Sequence, residues 1–165
     1  MTEYASDAVL LEGERVQLDA FLGDYRDEIA RGLDGLTDEQ ARSRLVPSLT
    51  SPLAIVKHCA FVERVWFQVV IAERTRAQVG IPESAEDSWL LDDTDTVDSV
   101  LADYRDACAE SVAIATQHAL DDVTTWNRRG PLTVRWIYLH MVEELARHAG
   151  HADILREQIL AADAG

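Results

Sequence analysis

His140, Glu144, His148 and His151 fall within the dozen residues "HMVEELARHAGH", between apolar segments that read as one continuous helix. At about 100° per residue, with His140 as zero, Glu144 lies near 40°, His148 near 80° and His151 near 20°. Ile137 and Leu155 fall near 60°, Met141 and Ile159 near 100° and Leu145 near 140°. The titratable side chains therefore share the apolar stripe, while Glu143, Asp153 and Glu157 point to water. An ionised carboxylate on such a face costs several kcal/mol unless it is paired or bound to a metal. Two chemistries answer that cost: a histidine–glutamate hydrogen-bond network, or a divalent cation. Glu144 and His148 stand i,i+4, about 5–6 Å apart at Cβ, so both reach one ion. The ion neutralises the carboxylate, which a neutral imidazole does not.

A third ligand has to come from another helix. His58 lies within the inner stripe Ile55, Val62, Val65, Trp66 and Val69 and is the candidate. His118 falls at the end of a different helix, where it reads as a partner for the C-terminal dipole. Cys59 is turned about 100° from His58 and reads as core. A set of His58, Glu144 and His148 leaves a position open on the ion, as catalytic sites do, whereas structural zinc sites are filled by protein ligands. Imidazole and carboxylate suit Zn, and also Ni, Fe or Mn.

The elements that must position these residues follow from periodicity and capping. Leu11, Leu18, Leu22, Tyr25, Ile29 and Leu33 mark a first helix over 9–33. "TDEQ" at 37–40 is a capping box that opens a short helix towards Arg44. Ser51 and Pro52 open a second long helix, 52–79, closed by Gly80 and Pro82. Residues 81–95 read as a long acidic crossover loop between helices two and three, with Trp89, Leu90 and Leu91 tucked against the body. Thr96 caps a third helix, 97–119, with Val97, Leu101, Tyr104, Cys108, Val112 and Ala115 inward. Pro131 opens the fourth, which runs to Leu160. No strand-like alternation interrupts the pattern. The expected fold is all-α, a four-helix bundle forming a single domain over 1–165.

The totals bound what such a protein does. A chain of 165 residues with 47% apolar composition carries a real core. Its net charge of -15 repels phosphate backbones and anionic lipid, which argues against nucleic acid and membrane surfaces as partners. "WNRRGP" at 126–131 is a basic knot that reads as a loop near the bundle mouth. No apolar run reaches the roughly 18 residues of a membrane span, and "AVLL" at 8–11 is too short for a signal core. Cys59 and Cys108 in helical patterns read as reduced thiols, so the expected location is cytoplasmic.

"SPLAIVKHCAFVERVWF" (51–67) and "RWIYLHMVEELARHAGHADILRE" (135–157) together resemble the DinB-like superfamily, in a branch common in actinobacteria. The resemblance covers essentially the whole chain. It implies a helical bundle holding a metal near one end through a histidine of helix two, matching His58, and two residues spaced i,i+4 on helix four. Many members carry histidine at both of the latter positions. Glu144 and His148 stand there in this chain, as in the mycothiol-dependent maleylpyruvate isomerases of the same superfamily. Several members activate low-molecular-weight thiols, mycothiol or bacillithiol, and many are homodimers. Of the 15 basic residues, Lys57 alone is not arginine, a bias that fits a GC-rich, mycothiol-producing source. His151 falls where many relatives have glutamine, which implies a place behind the ligands or facing substrate; His140, one turn before Glu144, takes either role.

The function expected from this resemblance is activation of a mycothiol-like thiol on the metal for attack on an electrophilic substrate, as S-transfer or isomerisation. His151 or His140 would orient a ligand or move a proton. Arg147 would pair with a cofactor carboxylate, or else bridge to Glu143 or Glu144. The alternatives are metal-activated water for hydrolysis, and a non-catalytic, stress-related bundle whose buried polar cluster serves association.

Overall fold

The computed structural model describes residues 4–163. Apart from one two-residue strand pair, their regular structure is helical. After a 3-10 turn at Ala5–Ala8, α1 runs Glu14–Arg31, with Leu22 and Ile29 buried. The sequence pattern expects this helix from residue 9, but Leu11 is fully exposed and Gly13 is the N-cap. A Cβ at Gly32 would stand 2.8 Å from the Ala152 Cβ, so glycine here lets the end of α1 close on the last helix. α2, Asp38–Arg42, carries the expected capping box between Thr37 and Gln40.

α3, Pro52–Glu63, starts as expected: the Ser51 hydroxyl accepts from the Ala54 N–H and Pro52 opens the first turn. Nearly every residue of it is buried. The expected single helix to residue 79 does not form. The chain widens into a π-helical stretch over Arg64–Ile71, where Ala72 N–H bonds back to the Phe67 carbonyl. The wider turns shift the register, so Trp66, Phe67, Val70 and Ile71 face the core while Val65 and Val69 are only half-buried. Glu73, at φ 55, ends the run, and α4, Arg76–Val79, begins afresh with its own Thr75–Gln78 capping box.

A 3-10 turn, Asp87–Trp89, punctuates the segment before α5. Trp89 and Leu91 pack on the core, as expected, but Leu90 is exposed. α5, Val97–Ala115, has the Thr96 cap, closed by Ser99. Its buried face is Val100, Tyr104, Ala107, Ser111, Ile114 and Ala115, turned from the expected one, and Val112 is 50% exposed. Two apolar stripes run along this helix one residue apart, and packing on α3 selects the one with the smaller side chains. Arg15 donates to the carbonyls of Ala115 and His118, so Arg15 rather than His118 meets the end of α5; His118 lies 3.5 Å from Asp122.

β1, Val123–Thr124, and β2, Leu132–Thr133, pair antiparallel, which the sequence pattern does not anticipate. α6 consequently opens at Val134, after Pro131, and continues to Asp163. It packs against α1 and α3. Ile137, Met141, Leu145, His148, Ala152, Leu155 and Ile159 form its buried stripe, and His148 sits in the middle of it.

Candidate metal centre

α3 and α6 bring His58, Glu144 and His148 together. One donor atom from each lies within 4.8 Å of the others. His148 Nε2 is 3.2 Å from Glu144 Oε1, and His58 Nε2 is 3.6 Å from the same oxygen. Ligands at roughly 2.0–2.2 Å from a tetrahedral ion stand roughly 3.3 Å apart, so both distances match one shared cation. Both histidines are buried, at 6% and 7% exposure, and the Glu144 side chain is 16% exposed.

The hydrogen bonds behind His58 decide where its lone pair points. Ser88 Oγ donates to the Ala85 carbonyl at 2.6 Å, and its only proton is spent there. The same oxygen lies 2.7 Å from His58 Nδ1 and accepts from it. Neutral His58 therefore carries its proton on Nδ1 and turns the bare Nε2 towards Glu144. Burial pushes the proton affinity of His58 down, which keeps it neutral. His148 differs: its buried Nδ1 has no hydrogen-bond partner among the described residues, and its contact with the site is made by Nε2 against Glu144 Oε1. The Glu144 carboxyl is held well below the usual carboxylate range, first by the bond to His148. One carboxylate oxygen and two imidazole nitrogens converge here. That donor set fits a borderline divalent cation.

Aromatic rings pack around the centre. Trp89 stacks on His58 at 4.0 Å and 17°, and lies 5.4 Å from His148. His140 is not in the cluster. It stacks on Trp136 at 5.1 Å and meets Trp66 edge-on at 4.8 Å, and burial lowers its proton affinity. Arg129, from the "WNRRGP" loop, sits over the outer face of that group, 5.6 Å from the Trp136 ring centre. His151 is exposed, with its ring centre 5.8 Å from that of His148. Arg147 bridges Glu143 and Glu144, lying 3.3 Å from Glu144 Oε2. Ser88 and the stack of Trp89 on His58 are absent from the sequence reading, because "EDSWLL" carries no spacing that ties it to His58 some thirty residues earlier.

The protein's own thiols stand apart from this chemistry. Cys59 is fully buried and burial raises its thiol far up; Cys108 is pushed up to about 12 by burial and by Glu63. Neither is a thiolate at neutral pH.

The profile described as Mycothiol-S-transferase matches residues 17–161, a span that contains His58, Ser88, Glu144 and His148. The chain belongs to the mycothiol S-transferase family. This membership agrees with the DinB-like resemblance of the sequence. Among curated proteins, none matches the chain. Among the described residues, no helix is long and apolar enough to cross a membrane.

Proposed function

We propose that this protein is a metal-dependent thiol S-transferase, joining mycothiol or a closely similar small thiol to an electrophilic small molecule. The observation that carries the reading is the convergence of one donor atom each from His58, Glu144 and His148 at one place. His58, Glu144 and His148 would hold the ion, Zn before Ni, Fe or Mn. A divalent cation there supplies one thing, a coordinated thiol that is deprotonated at neutral pH.

The chain's own residues do the rest. Glu144 would balance the charge of the ion, and its outer oxygen is steadied by Arg147. Trp89 shields one face of His58 from water. His151, exposed beside His148, would take up the thiol proton. The sulfur then forms a bond to the electrophilic carbon; the electron pair leaves with a departing group, or collects a proton where the substrate is an unsaturated acceptor. His140, held between Trp66 and Trp136, lies one turn from Glu144 and would line the approach. With this goes the finer reading of the fold: one domain over 1–165, a DinB-like four-helix bundle of α1, α3, α5 and α6, working as a cytoplasmic homodimer.

The test is conjugation of mycothiol to a fluorogenic thiol-reactive electrophile. The metal-loaded protein is expected to accelerate it, and protein stripped with a chelator to fall to the uncatalysed rate. Equal rates with and without metal would sink the proposal.

A further inference from the structure

We infer that Ser88 is a positioning residue that locks His58 in the Nδ1–H tautomer before any ligand arrives. The consequence for metal binding rests on the metal-centre reading above; the tautomer lock itself does not.

The lock is built from one short run of backbone and side chain. Ala85 O can only accept, and at 2.6 Å from Ser88 Oγ the hydroxyl proton must lie between them. Were that proton aimed at His58 instead, two oxygens would face each other at that distance with nothing to share. Ser88 Oγ is thus an acceptor towards His58, and the 2.7 Å contact requires a proton on Nδ1. Ser88 is 2% exposed, so water does not replace it. Trp89, the next residue, lies flat on the imidazole and fixes the plane in which Nε2 points.

The segment carrying both is tied to the same helix as the ring it orients. Lys57, adjacent to His58, bonds the Asp92 and Asp95 carboxylates at 3.1 and 2.7 Å. Arg42 bonds the carbonyls of Asp92 and Asp95 at 2.5 and 2.6 Å. The Asp95 carboxylate also accepts from Asp92 N–H. The acidic segment 84–95 is therefore an outer clamp on His58, closed by the single lysine of the chain.

Among the described residues the His148 Nδ1 has no such partner, and only its Nε2 is engaged, 3.2 Å from Glu144 Oε1. Without the Ser88 hydroxyl, the acceptor that faces the buried His58 among the described residues is Glu144 Oε1, 3.6 Å from Nε2. Its proton then belongs on Nε2, the atom needed for ligation.

Ring-nitrogen magnetic resonance of isotope-labelled histidine in metal-free protein, at about pH 8 where imidazoles are neutral, reads the tautomer directly. Wild type is expected to show His58 protonated on Nδ1. Ser88→Ala is expected to move the proton to Nε2 and to weaken zinc binding about 10–100-fold, read by competition with a chromophoric chelator. Ser88→Thr, which keeps the hydroxyl, is expected to restore the wild-type signature. A wild-type His58 protonated on Nε2 overturns the inference without any variant. So does a Ser88→Ala protein that keeps both its tautomer and its zinc affinity to within about twofold. Failure of wild type to bind zinc overturns the metal centre instead, and the spectrum of the same sample still decides the role of Ser88.

Discussion

Glu63 and Glu144 are both drawn towards the helical core of this protein, and they are answered in different ways. Glu63, at the end of α3, is completely buried, and Arg26 from α1 takes both its oxygens at 2.8 Å. The guanidinium gains so much from that pair that its proton affinity rises despite desolvation. Glu144 on α6 has an outer oxygen near Arg147, which is half exposed, and an inner oxygen facing two buried imidazoles. One site is complete from the chain's own residues; the other has converging donors and no internal cation of matching quality. The difference separates a carboxylate that holds helices together from one placed to hold something else.

The comparison breaks most visibly at Glu63. Glu63→Ala leaves Arg26 buried without its partner and is expected to cost about 3–5 kcal/mol in denaturant unfolding, while the folded fraction still binds metal. A loss under about 1 kcal/mol would mean that the pair is not structural.

Next in size is the silence of the protein's sulfur. With its thiol near 12, Cys108 should react with an alkylating agent about a thousandfold more slowly than free cysteine at about pH 8. Mass spectrometry of quenched native protein checks this. Rapid labelling of either cysteine would move the nucleophile onto the protein and weaken the case for a small thiol.

A smaller effect sharpens the Glu144 side. Zinc at about one hundred times its dissociation constant should stabilise the wild type by about 2.7 kcal/mol, and a chelator should remove the gain. That gain should also shrink on acidification, because protons compete for His58 Nε2. Burial lowers the folded-state proton affinity of His58, so the stabilisation is full above the ordinary imidazole range near about 6.5 and is lost below it. Thermal melts with and without chelator across that range report the sign, and a gain that rises towards acid would contradict it. Smallest of all, Glu144→Gln in metal-free protein should change stability by no more than about 1 kcal/mol, since no internal cation depends on it as Arg26 depends on Glu63.

Much of this was legible in local sequence, and the rest depended on contacts between distant segments. Thr37 with Gln40, Ser51 with Pro52, and Thr96 mark helix starts through chemistry confined to four residues, and each appears where expected. The face of α6 was legible too, because Ile137, Met141, Leu145 and Leu155 leave one orientation that buries them all. The π stretch was hidden, because "RVWFQVVI" is equally apolar in either register and only its packing selects the wider turn. On α5, two adjacent apolar stripes made Val112 look inward when Ser111 is. Glu144 and His148 were visible as a pair within one helix, and His58 as their candidate partner. Ser88 was invisible, since a serine in an acidic loop gains its role only by meeting His58 across the fold.

The central claim is that the His58, Glu144 and His148 cluster holds a metal ion. Elemental analysis of protein purified without chelators or affinity metals tests it most directly, with Glu144→Gln prepared alongside. The account expects roughly one divalent ion per chain in the wild type and a clear loss in the variant. A wild type that carries no metal and takes up none on titration, or a variant that retains as much as the wild type, would contradict it.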